Sequence, residues 1–181
     1  MALSDVIEDR FIDSLHELMS GKSFRKITVE DICSKASLSR GTFYHYFKDK
    51  YDLSFRPYRR QAELELRQLR FTGDWEQLTC NLHHHFLQNK EYYTKLLKDM
   101  SQNSFVPSLI AHSRPYFMKA IEEYTDLSLD EELQFALKFN NYAAVYTVIE
   151  WIQNGMKESP EYMSHLVAVN TPWAKDFRRK P

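Results

Sequence analysis

Apolar residues recur at helical spacing along nearly the whole chain, and the runs are separated by capping residues rather than by strand-like alternation. Ile7, Phe11, Leu15 and Leu18 form one stripe, with acids early in the run and Gly21 after it as a stop. Thr28 followed by Asp31 is a capping pair that opens a short helix through Ile32, Cys33 and Ala36. Ser37-Leu38-Ser39 interrupts that helix. Ser39 caps a third over Arg40–Phe47, and Asp49 with Asp52 caps a fourth running toward Arg70. Three capped helices joined by short turns predict a helix-turn-helix.

Past Thr72-Gly73, Asp74 and Gln77 open a helix through Trp75, Leu78, Leu82 and Phe86, and another spans Glu91–Met100. The stretch Phe105–Tyr124 is helical by pattern, with Pro107 expected in its first turn and Pro115 expected to kink or divide it. Ser128 and Glu131 are expected to cap the longest apolar helix, which runs to Asn154-Gly155. A last helix starts at Ser159-Pro160, a cap followed by proline at the first helical position, and stops before Pro172. Between Glu131 and Asn154 apolar residues cover most of the circumference. Such a helix must be enclosed, by its own body or partly by a second subunit.

Composition narrows the class further. The 181 residues include only four glycines, too widely spaced for a phosphate-binding loop and too few for an all-β sandwich. Apolar residues make up 43% at a net charge of −1, which fits a folded globular chain. No run approaches a membrane span, and MALSDVIEDR lacks a secretory signal, so a soluble cytoplasmic protein is expected. The two cysteines, Cys33 and Cys80, suit a reducing compartment and read as packing residues. Near-neutrality hides an asymmetry: residues 22–60 hold ten Lys/Arg against four Asp/Glu, whereas residues 61–181 hold 13 against 16. A basic segment alone is often only a solvated face.

The third helix adds chemistry to that charge. At 100° per residue Phe43, Tyr46 and Phe47 share one face. Gly41, Tyr44, His45 and Lys48 gather opposite. Arg40, in the first turn, carries a fork that fits guanine O6 and N7, and Thr42 fits a thymine methyl or a phosphate. Tyr44 and His45 can donate to phosphate oxygens, while Lys48 and Lys50 supply charge that positions without reading sequence. Gly41 costs about 1 kcal/mol in a helix relative to alanine. Without a Cβ it lets the helix N-terminus approach a DNA backbone closely.

Residues 7–53 resemble the DNA-binding domain of the TetR family of bacterial transcriptional regulators, most clearly in Ser39-Arg-Gly-Thr-Phe-Tyr-His-Tyr-Phe47 followed by Lys50 and Leu53. Thr28, Ile32 and the step from Gly21 to Phe24 extend the likeness, and Tyr51 departs from it where members often carry an acid. The resemblance implies an all-α fold: a three-helix helix-turn-helix domain over residues 1–53 and a helical ligand-binding and dimerisation body over 54–181. It implies DNA contacts from Thr28, Ser39, Arg40, Gly41, Thr42, Tyr44, His45 and Lys50, joined by Lys48 from its charge. It also implies a homodimer on a near-palindromic double-stranded operator, acting as a repressor released by a small-molecule effector. A co-regulator of the same fold, acting through protein contacts instead of DNA, is the alternative.

For the body, the expected dimer face comprises Tyr142, Tyr146, Ile149, Trp151, Ile152, Met163 and Leu166, and the expected effector pocket Phe86, Tyr93, Tyr116, Phe117 and Tyr142. Packing alone also explains such aromatics. His83-His84-His85 points three ways around a helix and cannot converge on one ion, and no two histidines stand four apart, so no metal and no cofactor is expected. The basic tail Phe177–Lys180 reads as a solvated end. No nucleophile stands in a strand-turn-helix setting, so the chain is not expected to be an enzyme.

Overall fold

The computed structural model describes residues 3–99 and 102–177, with side chains left aside for residues 102–106, and every regular element among them is helical. The head consists of α1 (Leu3–Gly21), α2 (Val29–Ala36), α3 (Arg40–Tyr46) and the short α4 (Lys50–Ser54). The body follows as α5 (Arg56–Thr72), α6 (Trp75–Gln88), α7 (Lys90–Asp99), α8 (Gln102–Tyr124), α9 (Glu131–Gln153) and α10 (Pro160–Val169). The basic tail Arg178–Lys180 and the helix end at Met100 lie outside the described residues.

Local capping chemistry accounts for most of these boundaries. The Thr28 hydroxyl accepts from the Asp31 amide at 3.1 Å while the Asp31 carboxylate accepts from the Thr28 amide at 2.7 Å, a reciprocal box. Lys22, 2.8 Å away, and the Thr28 amide and hydroxyl hold the Asp31 carboxyl down at about 2. Ser39, Asp49, Asp74 and Ser159 cap α3, α4, α6 and α10 as their sequences predict. Gly73 closes α5 at φ 62°, in the left-handed region that glycine enters without strain.

Three expectations are corrected, and a fourth, that Pro115 kinks or divides its helix, loses its second branch. The expected fourth helix is two, because Pro57 has no N–H for the Leu53 carbonyl and the path breaks at Phe55. Pro115 does not divide α8. Pro115 and Ala111, whose carbonyl it deprives of the i+4 donor, both lie on the exposed side, where solvent is at hand to supply one. Pro107 sits in the second turn, since α8 begins at Gln102. Asp130 rather than Ser128 caps α9, accepting from the Leu133 amide at 2.8 Å.

One apolar cluster runs from the head into the body, joining Phe11, Phe43 and Phe47 to Tyr58, Phe86, Tyr93, Leu96 and Trp151. Within it Phe11 meets Phe43 and Phe47 edge-on at 5.4 and 5.9 Å between centroids, the favoured aromatic arrangement. Polar ties reinforce the junction. Glu8 of α1 accepts from both Arg56 and Arg60 of α5, the first pair bidentate at 2.7 and 2.8 Å. Burial by itself would raise the Glu8 carboxyl; hydrogen bonds and charge from the two arginines outweigh it and hold it below the ordinary value. Tyr92 of α7 donates to the Ser54 carbonyl, and Asp99 accepts from the Phe24 amide. A second cluster, around Leu69, Trp75, Ile121 and Trp173, fills the far end of the body.

Candidate nucleic-acid interface

The turn between α2 and α3 is made by Ser37, a left-handed cap at φ 54° whose amide bonds back into α2, and by Ser39, whose hydroxyl accepts from the Thr42 amide at 3.0 Å. The second bond fixes the N-terminus of α3. Phe43 and Phe47 are fully buried and Tyr46 half-buried, so the inner face packs as its spacing predicts. Arg40, Gly41, Tyr44, His45 and Lys48 are exposed, with Thr42 half-buried beside Ser39. The Arg40 guanidinium lies 5.9 Å from the Tyr44 ring centroid, within reach of a cation–π contact that restrains both.

Most other cations of the basic segment are already engaged. Lys22 pairs with Asp31, Lys35 with Glu17, Arg59 with Asp52, and Arg56 and Arg60 with Glu8. Among the described residues no carboxylate pairs with Arg40 or Lys48. Their charge is therefore available to an anionic partner. Gly41 is bare for no internal reason: a methyl there would meet only Ser39 Oγ, at an ordinary 3.5 Å.

Two sequence-assigned contacts have internal duties. Thr28 is exposed, but its hydroxyl serves the α2 cap. Lys50 is engaged internally: its ammonium donates to the carbonyls of Phe24, Arg25 and Ile27 at 2.9, 3.1 and 2.7 Å. Three N–H donors meet three acceptors, which leaves none for a phosphate. Burial lowers the Lys50 pKa, as expected for an ammonium used as an internal strut.

In the body the expected dimer residues separate into two groups. Tyr142, Tyr146 and Leu166 are exposed, whereas Ile149, Trp151, Ile152 and Met163 are buried in their own subunit's core. The arc of α9 that faces outward carries Phe135, Phe139, Tyr142 and Tyr146, with Phe135 and Phe139 about 70% exposed (70% and 69%). Tyr162, Leu166 and Val169 form a matching row on α10, and a groove containing Phe139 and Leu166 runs between the two helices. Phe135, Phe139, Tyr162 and Val169 join these exposed rows without having been expected there. Their i, i+4, i+7 spacing was the available signal.

The expected pocket residues do not converge either. Phe86 and Phe117 line a cavity of about 50 Å³ among α5, α6, α8 and α9, together with Tyr58, His83, Leu109 and Ser113. Tyr93 is buried elsewhere with its hydroxyl on His85, Tyr116 donates to Glu63, and Tyr142 faces outward. The three consecutive histidines diverge as expected, to Thr79, Glu161 and Tyr93. Burial lowers the His83 pKa, so its ring is neutral; Nδ1 donates to the Thr79 carbonyl at 2.7 Å and Nε2 is left as an acceptor without a partner among the described residues. With Tyr58, Thr79 and Ser113 it supplies the polar groups of a mostly apolar wall.

A capped helix-turn-helix with a cationic outer face, on an all-helical body, defines a nucleic-acid-binding regulator. Residues 11–56 match the family described as "Bacterial regulatory proteins, tetR family", and residues 73–170 match "Transcriptional regulator C-terminal region". The chain belongs to the TetR family of bacterial transcriptional regulators. Its fold is similar to that of the dihydroxyacetone kinase operon activator DhaS (TM-score 0.64, 20% identity, covering 94% of this chain and 96% of that one). It is also similar to the TetR family repressor AlkX from Dietzia sp. (TM-score 0.63, 18% identity, covering 96% and 99%). No curated protein matches the chain in sequence. Among the described residues no helix is long and apolar enough to cross a membrane.

Proposed function

We propose that the protein is a homodimeric, DNA-binding repressor, with residues 1–53 reading a near-palindromic operator and residues 54–181 supplying the dimer contact and an effector site. The outer face of α3 carries this reading. Arg40 on that face and Lys48, two residues past the helix end, have no carboxylate partner among the described residues, and Gly41 has only an ordinary neighbour in Ser39 Oγ. Arg40 reads base edges, Lys48, Tyr44 and His45 hold phosphates, and Gly41 admits the backbone. Two copies of α3 enter successive major grooves roughly 34 Å apart, a separation set by the body.

The exposed rows of α9 and α10 pair with their copies across a two-fold axis, forming a four-helix contact that removes seven large apolar side chains from water. The effector enters the cavity beside His83. A void of about 50 Å³ is well below the ~300–1,000 Å³ of a small-molecule site, so binding must spread the surrounding helices. Movement of α6 or α8 is transmitted through α5 and the Glu8–Arg56–Arg60 ties to the head, changing the spacing of the two recognition helices.

Fluorescence anisotropy of the purified protein on labelled fragments of its own upstream region, at ~50 mM salt where phosphate contacts are strongest, tests the reading. Saturable binding that weakens steeply with salt is expected. Absence of binding to every fragment would overturn it.

A further inference from the structure

On α6, Cys80 and His84 stand four residues apart and so share a face, and that face packs along α10. Glu161, in the first turn of α10, meets them there: one donor atom from each of the three residues lies within 4.8 Å of the other two. His84 Nε2 and Glu161 Oε1 are already 2.8 Å apart. We propose that Cys80, His84 and Glu161 bind a late first-row divalent cation of the zinc class, with water in the fourth position, and that the ion joins α6 to α10.

The donor types select the metal. Thiolate, imidazole and carboxylate together suit zinc and its neighbours, whereas magnesium and calcium take oxygen ligands almost alone. Tetrahedral bonds of ~2.0–2.3 Å place donor atoms roughly 3.3–3.8 Å apart, so side-chain adjustments of about 1 Å close the site. Polar groups stand beside two of the ligands: Ser164, whose hydroxyl donates to the Glu161 carbonyl at 3.0 Å, lies near the Cys80 sulfur, and Ser159, the cap of α10, lies near the Glu161 carboxylate. Cys80 is buried, while His84 and Glu161 are partly open to solvent, which gives the ion a way in. As it binds, the Cys80 thiol proton leaves to water, the proton that His84 Nε2 shares with Glu161 moves to Nδ1 through water (or to water if Nδ1 already carries one), and the His84–Glu161 contact is replaced by two bonds to the metal.

The same seam continues one turn along. Glu76 of α6 meets His165 of α10 at 3.3 Å, so the two helices are held in register beside the site. The sequence pattern concealed the cluster, because only histidine pairs were expected to signal a metal and Cys80 was assigned to packing. Its third ligand lies 77 residues beyond His84.

Cobalt titration of the reduced full-length protein tests the site without reference to DNA. A Cys33→Ser background leaves Cys80 as the sole thiol. The expected result is a thiolate-to-cobalt charge-transfer band with tetrahedral d–d bands, saturating at about one equivalent per chain and bleached by zinc. Cys80→Ser should abolish the charge-transfer band, and His84→Ala or Glu161→Gln should each weaken affinity roughly ten-fold or more, since even outer-shell changes cost that much. The two latter positions are exposed enough to leave the fold intact, as circular dichroism will verify. No charge-transfer band in the parent, the same band in Cys80→Ser, or unchanged affinity in both His84→Ala and Glu161→Gln would overturn the proposal.

Discussion

The outer face of α3 and the outer arc of α9 are both exposed helical surfaces rich in aromatic residues, yet they differ in every other respect. On α3 the aromatics Tyr44 and His45 stand between Arg40 in the first turn and Lys48 just past the helix end, and a glycine sits in the first turn. Along α9 Phe135, Phe139, Tyr142 and Tyr146 follow one another at helical spacing, and α10 adds Tyr162, Leu166 and Val169. An aromatic beside an unpaired cation gains from an anionic partner. A bare Phe row gains only from another apolar surface. Exposure alone identifies neither face; the chemistry of the neighbouring positions does.

That contrast can be broken by substitution. The largest effect is expected from Phe139→Glu with Tyr146→Glu, which puts charge into the α9 row without touching the head. Sedimentation velocity should show monomer, and operator affinity should fall by about 10²–10⁴ as the two half-sites lose their linkage. Dimer retained at micromolar concentration would move the interface elsewhere. Arg40→Ala should leave the dimer intact and cost about 1–3 kcal/mol in specific binding, with little change on unrelated DNA. Equal losses on both would demote Arg40 to a phosphate contact.

Smaller effects sharpen the division within the head. Lys48→Ala should reduce the slope of log affinity against log salt by about 0.9 per subunit. Lys50→Ala should leave that slope unchanged and instead lower the unfolding midpoint, because three carbonyls lose their donor. A reduced slope would return Lys50 to the DNA face. Gly41→Ala should be the mildest, stabilising the fold by up to about 1 kcal/mol while weakening operator binding. Unchanged binding would show that nothing approaches that turn.

The head was legible because its signals are local. Thr28, Ser39 and Asp49 each bond a backbone amide three residues on, so sequence spacing is nearly the geometry. The α9 cap was not, because Ser128 and Asp130 both satisfy a local rule and the choice depends on the turn in which the Asp130 amide bonds the Ser128 carbonyl. Between the two outcomes open at Pro115, a kink or a division, the sequence could not choose for a similar reason: the cost depends on whether the Ala111 carbonyl faces water, which only the packed body decides. Lys50 reaches carbonyls 23–26 residues away, and no spacing rule covers that distance. The all-round apolar character of α9 called for enclosure on every side, and its own subunit encloses only part of it. It could not say that Ile149, Trp151 and Ile152 face inward while Phe135 and Phe139 face out.

The small cavity beside His83 has a consequence for dose and response. If the chain holds that void nearly shut, any effector binds with its intrinsic strength multiplied by the fraction of molecules already opened. The concentration at which the regulator responds is then set as much by the side chains that close the void as by those that touch the ligand. On the proposed function, Leu109→Ala, which widens the cavity and leaves His83 Nε2 in place, would lower that threshold, read as a lower effector concentration for release of operator DNA.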